Sequence, residues 1–175
     1  MRKQFKTLTA GILAGTFVVG GMAAAPHSVE AATTSAKQGT SVNISNEKKV
    51  IEDIIRTGLN LRGKAKYSHK YVAGKYMDCS GFTYYIFKKH GISLHTRWDD
   101  GQAKYGTPVA KSQLKRGDLV FFSANKNKAG ITHVGVYLGN GKLLDMASPS
   151  RGVAISDLNW TWYKKNYKTA RRVVR

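Results

Sequence analysis

The sequence predicts an α+β fold, helices first and an antiparallel sheet afterwards, and three observations carry that prediction. A helical apolar period occupies the first half of the chain. From Leu119 onward it gives way to short β-rich runs split by Gly, Asn and Ser. Helices and strands are thus segregated rather than alternating, which argues for an antiparallel sheet over βαβ units. The length of 175 residues and a hydrophobic fraction of 42% suit one core, with little left for a second.

Taken in order, the chain opens with a basic segment, Met1 to Lys6, holding Arg2, Lys3 and Lys6. An uncharged stretch from Leu8 to Ala25 follows, and Val29-Glu30-Ala31 sets small residues at the two positions a signal peptidase reads. Residues 1–31 therefore read as a secretory signal peptide, and the expected location is outside the cell or in the wall. Residues 32–46 are small and polar without apolar period, so a flexible lead-in is expected there. The folded domain is expected over 47–175, as a monomer with no membrane span once the leader is removed.

Within that domain, Ser45 or Asn46 is a candidate N-cap for a helix whose stripe is Val50, Ile51, Ile54, Ile55 and Leu59. Residues 62–77 are rich in Lys, Gly and Tyr and read as loop. A second helix is expected from Cys79 to His90, capped by Asp78, stopped by Gly91, with Phe82, Tyr85 and Ile86 facing the core. Strands are expected over 119–122, 133–138, 143–147, 153–155 and 169–174.

One cysteine, Cys79, excludes an internal disulfide framework and every multi-cysteine metal site. Its setting favours reactivity. In Asp78-Cys79-Ser80-Gly81 the thiol falls in the first turn of a helix, where the dipole and unpaired N–H groups stabilise a thiolate. The same N–H groups could hold an oxyanion. A thiolate nucleophile needs a base, usually His. His27 lies in the leader, and His69, His90 and His95 lie in polar loop or helix-end contexts that suit solvated side chains. His133 differs, because it opens a β-type run, Thr132 to Leu138, and can point from a rigid sheet into a cleft.

A third group should orient that imidazole. Gly139-Asn140-Gly141 signals a hairpin leading to Leu143-Leu144-Asp145-Met146-Ala147. A two-residue turn on Asn140-Gly141 would pair Asp145 with Val136, on the face opposite His133. A three-residue loop with a bulge would pair Asp145 with Gly135, making it a diagonal neighbour of His133 about 7–8 Å away at Cα. An acid between Leu144 and Met146 is otherwise oddly placed, which favours the second register.

The segments Asp78-Cys79-Ser80-Gly81-Phe82, Leu114 to Phe122, and His133 to Gly141 resemble the NlpC/P60 family of bacterial cell-wall cysteine peptidases. The resemblance covers roughly residues 50 to 175. It implies a papain-like core with the nucleophile helix packed on the antiparallel sheet. It also implies hydrolysis of peptidoglycan stem peptides, commonly between D-γ-glutamyl and the diamino acid, with no metal or cofactor. Position by position, Cys79 matches the nucleophile, His133 the base, and Asp145 the third polar position. Tyr67 matches a site-lining tyrosine that can help hold the oxyanion. Asp78 and Ser80 match positions that contact the free amine of the stem peptide's L-alanine. The family's third residue is usually His, Asn or Gln, so Asp145 is a departure. The Trp-Gly-Gly pattern after Tyr67 and the Pro-Arg near Arg97 are also missing.

The formal net charge of +19 speaks to partners. Anionic wall polymers fit it. The stretch from Trp160 to Arg175 interleaves aromatics with cations, but no nucleic-acid motif accompanies it, and a basic face around core aromatics is the better reading. The same fold acting on another amide (poly-γ-glutamate or an N-acyl bond) and a non-catalytic wall-binding protein are the alternatives.

Overall fold

The computed structural model describes residues 33–125, 127 and 129–175, with side chains described from residue 43 on. The leader read in residues 1–31, and His27 with it, lies outside the described residues. Helix α1 spans Thr33–Leu59. Its final turns bury Ile54 and Ile55 in the core, as the stripe predicts. The helix begins well before Ser45, so residues expected as a lead-in are helical instead. Small polar residues carry no packing signal in the sequence, yet they can extend a helix whose nucleus is fixed by buried turns further along.

Residues 62–77 are not featureless loop. Two short strands, β1 (Lys66–Tyr67) and β2 (Tyr76–Met77), pair in parallel and lead straight into helix α2, Cys79–Lys88. Asp78 caps α2 as expected, accepting from the Gly81 N–H at 2.7 Å. Gly91 has φ +76, and the helix ends just before it. A short helix α3 (Asp99–Gln102) and strand β3 (Thr107–Pro108) follow, neither signalled by periodicity.

The sheet is built from β4 (Leu119–Phe122), β5 (His133–Gly139), β6 (Lys142–Ser148), β7 (Gly152–Asp157) and β8 (Tyr167–Arg172), with helix α4 (Thr161–Asn166) before the last strand. The order is β3-β8-β4-β5-β6-β7 and every pairing is antiparallel. The expected α+β architecture is therefore present. One face meets α1 and α2 through Phe82, Ile86, Phe121, Val134, Val136, Leu144 and Met146. The other holds Val120, Phe122, Leu143, Leu158, Tyr163 and Ala170. Asp118, almost fully buried at the start of β4, takes a two-pronged contact from Arg172 at 2.8 Å to each oxygen, tying β8 to β4. Among the described residues no helix is long and apolar enough to cross a membrane.

The β5–β6 hairpin settles the register question by an unexpected route. Gly139 pairs with Lys142, so the turn is the two-residue one on Asn140-Gly141, both at positive φ. Between Gly139 and Tyr137 the ladder shifts, leaving Leu138 as an extra residue on β5, and Val136 then pairs with Leu144. The bulge thus delivers the register that a three-residue loop would have given. Gly139, at φ +93, supplies a backbone conformation that a side chain would strain. The carbonyl of Leu138 accepts from Arg116 at 2.7 Å, and Arg116 is held by both carboxylate oxygens of Glu52 on α1.

Candidate active site

One cleft of about 430 Å³ is lined by β1, the start of α2, the start of β5, the β6–β7 region and α4. Cys79 is the first residue of α2 and is 7% exposed. The N–H groups of Cys79 and Ser80 lie in the first helical turn, where no intrahelical acceptor exists. Helix α2 is fixed from behind by Gln102 of α3, which is fully buried. Its Nε2 donates to the Ser80 carbonyl at 2.9 Å, and its Oε1 accepts from the Thr83 hydroxyl at 2.7 Å.

His133 opens β5 and is nearly buried. Its Nε2 lies 2.7 Å from Oδ2 of Asp145, which leaves Nδ1 for the thiol side of the ring. Burial opposes its charge, but the hydrogen bonds to Asp145 and Cys79 outweigh burial and raise its pKa from 6.5 to about 9. The site therefore favours imidazolium at neutral pH.

Asp145 is fully buried on β6. Besides His133 it accepts from the Ser156 hydroxyl at 2.9 Å and from the Tyr163 hydroxyl at 2.7 Å. A buried carboxylate is costly unless paired and hydrogen-bonded, and here three donors satisfy it. Arg151 Nη1 donates to Ser156 at 3.2 Å, with its guanidinium 5.1 Å over the Trp160 ring. Burial and the neighbouring Asp145 push the Tyr163 hydroxyl well above its ordinary pKa, so it stays a donor.

The cleft thus brings together Cys79, His133 and Tyr67, with Asp145 directly behind His133. Burial, then the charges of Cys79, Asp78 and Asp99, raise the Tyr67 phenol, which also remains protonated. Asp78 and Ser80 do not line the cleft. One oxygen of Asp78 serves the helix cap and the Ser80 hydroxyl at 3.2 Å, while the other faces His69 at 3.8 Å. His90, expected to be solvated, bonds Thr57 Oγ1 at 2.8 Å across the helix pair. His95 lies against Tyr105, ring centroids 4.1 Å apart.

Sequence reasoning missed Ser156, Tyr163, Gln102, Arg151 and Asp99. Ser156 falls just past the β-type run expected over 153–155, and the observed strand extends to include it. Tyr163 was hidden in the basic aromatic stretch, whose Trp160 and Trp162 prove to line the same cleft. Asp99 is half-buried, and burial raises its pKa.

A model of the NlpC/P60 family matches residues 63–172. A Bacillus subtilis (strain 168) protein named gamma-D-glutamyl-L-lysine dipeptidyl-peptidase is 39% identical over 136 residues, 78% of this chain and 45% of the relative. Escherichia coli (strain K12) Murein DD-endopeptidase MepS/Murein LD-carboxypeptidase is 42% identical over 101 residues, 57% of this chain and 51% of the relative. Among solved structures, an NlpC/P60 family protein from Bacillus cereus ATCC 10987 superposes with a TM-score of 0.66 at 35% identity, covering 71% of this chain and 40% of the other. The peptidoglycan hydrolase RipB of Mycobacterium tuberculosis gives 0.60 at 26%, covering 75% and 68%. The matched part of the Bacillus subtilis relative is thus less than half of its length.

Proposed function

The chain belongs to the NlpC/P60 family, and from that premise we propose that it is a secreted cysteine peptidase that hydrolyses peptidoglycan stem peptides between D-γ-glutamyl and the diamino acid. The observation that carries this reading is the buried row Cys79–His133–Asp145, closed by the 2.7 Å contact and opening on a cleft. The names of the relatives support the substrate class, and the leader read in residues 1–31 supports export.

In the proposed reaction His133, held as imidazolium by Asp145, keeps Cys79 as thiolate. The sulfur attacks the amide carbonyl, forming a C–S bond, and the oxyanion is received by the N–H groups at the start of α2 with the Tyr67 hydroxyl. As the C–N bond breaks, His133 gives its proton to the leaving amine. Water then gives a proton to His133 and its hydroxyl to the thioester, releasing the acid and the thiolate. Asp78 and Ser80 lie outside the cleft lining, so any contact with the free amine of the stem peptide would be through the Asp78 oxygen that faces His69.

The relatives' names specify different bonds, so product masses must decide. Stem peptides with a free L-alanine should yield L-Ala-D-γ-Glu and a fragment beginning at the diamino acid. Cleavage of poly-γ-glutamate with stem peptides left intact would overturn the assigned substrate. Binding to isolated wall with cleavage of neither would overturn the enzymatic reading.

A further inference from the structure

A second groove, of about 590 Å³, lies along the C-terminal half of α2 and shares no lining residue with the cleft. Tyr71, Tyr84 and Tyr85 line it together with Lys88, Lys89 and Arg97. Each tyrosine carries a cation: Lys88 Nζ lies 5.3 Å from the Tyr84 centroid, Lys89 Nζ 5.8 Å from Tyr85, and the Arg97 guanidinium 5.1 Å from Tyr71, with the exposed Trp98 ring 4.4 Å from the same guanidinium. Among the described residues, none of the three cations is in an ion pair with a carboxylate. Arg97 Nη1 is buried with no hydrogen-bond partner at all. In a chain of +19 some cations must lack acids, but three gathered on one tyrosine-lined groove make a local anion receptor.

The ring faces also decide the kind of anion. A cation already covers one face of each tyrosine, so flat bases find less open ring there than on single-strand-binding surfaces. What the groove offers is ammonium and guanidinium N–H groups beside phenol hydroxyls. That suits phosphates spaced along a hydroxyl-bearing chain. We propose that this groove binds a phosphodiester-linked polyol or sugar polymer, and so holds the protein on polyanion-bearing wall independently of Cys79.

The test is titration of soluble poly(glycerol phosphate) into the full chain carrying Cys79→Ala, so that no peptide cleavage enters the result. Adding Lys88→Gln, Lys89→Gln and Arg97→Gln should weaken binding roughly tenfold, whereas Lys48→Gln, Lys64→Gln and Lys104→Gln, with the same loss of charge, should weaken it by no more than about twofold. Lys88→Arg with Lys89→Arg should retain binding, which separates charge from misfolding. Equal losses in both neutralised triples would overturn the proposal in favour of diffuse attraction. A single-stranded oligonucleotide bound as tightly as the polymer, and lost in the same groove variant, would overturn the assignment to polyol phosphate.

Discussion

Nε2 of His133 and Oδ2 of Asp145 meet at 2.7 Å across a position that has no side chain. In the β5–β6 register Asp145 stands opposite Gly135, two residues along the same face from His133. A Cβ on Gly135 would come within 3.0 Å of the Asp145 Cβ and 3.3 Å of the Leu144 carbonyl. The glycine is therefore what allows the carboxylate to lean diagonally onto the imidazole. Gly135→Ala should push Asp145 away by a few tenths of an ångström and lower kcat by roughly tenfold, less than the cost of a full ~1 Å misplacement. Retained activity, measured on a stem peptide, would show that the diagonal has slack.

Asp145 should matter to stability as well as to rate. Asp145→Ala leaves His133, Ser156 and Tyr163 without their buried acceptor, and a loss of about 3 kcal/mol in urea unfolding is expected. Asp145→Asn keeps the shape but not the charge that favours imidazolium, so kcat should fall by roughly 10²–10⁴-fold while the melting temperature moves less.

The pH dependence follows from His133. Its pKa in the folded chain, about 9, lies above the ordinary 6.5. The imidazolium contacts therefore contribute stability in full below pH 6.5 and lose it as pH rises through about 9. Melting temperature should decline across that window in the wild type and not in His133→Gln. The rate should fall on the alkaline side near pH 9 for the same reason, and Asp145→Asn should bring that limb to lower pH.

Tyr163 donates to the same carboxylate oxygen that meets His133. Tyr163→Phe removes that donor and leaves more negative charge for the imidazole, so the alkaline limb should move up, at a stability cost of about 1–2 kcal/mol. A limb that stays in place would mean that the hydroxyl serves packing alone.

Much of this arrangement is legible in the chain itself. The helical stripe of α1, the Asp78 cap and the β-type runs are local signals, and local signals survive into the fold. The face shared by His133 and Asp145 was legible only as a choice between two registers. The bulge at Leu138 that decides it is contacted by Arg116, itself held by Glu52, and those two residues are far apart in sequence. Ser156 and Tyr163 reach Asp145 only once β7 and α4 have folded back, so spacing along the chain could not reveal them. The helical residues before Ser45 were missed for the opposite reason, because nothing in their own pattern calls for a helix.

If Cys79 carries the acyl group, that group is seen in the intact mass of the protein after mixing with a stem peptide and acid quenching within the first turnovers. An added mass equal to the L-Ala-D-γ-Glu acyl fragment is expected on Cys79, and none on the Cys79→Ala protein. Release of the peptide products by the Cys79→Ala protein at the wild-type rate would contradict that role for Cys79.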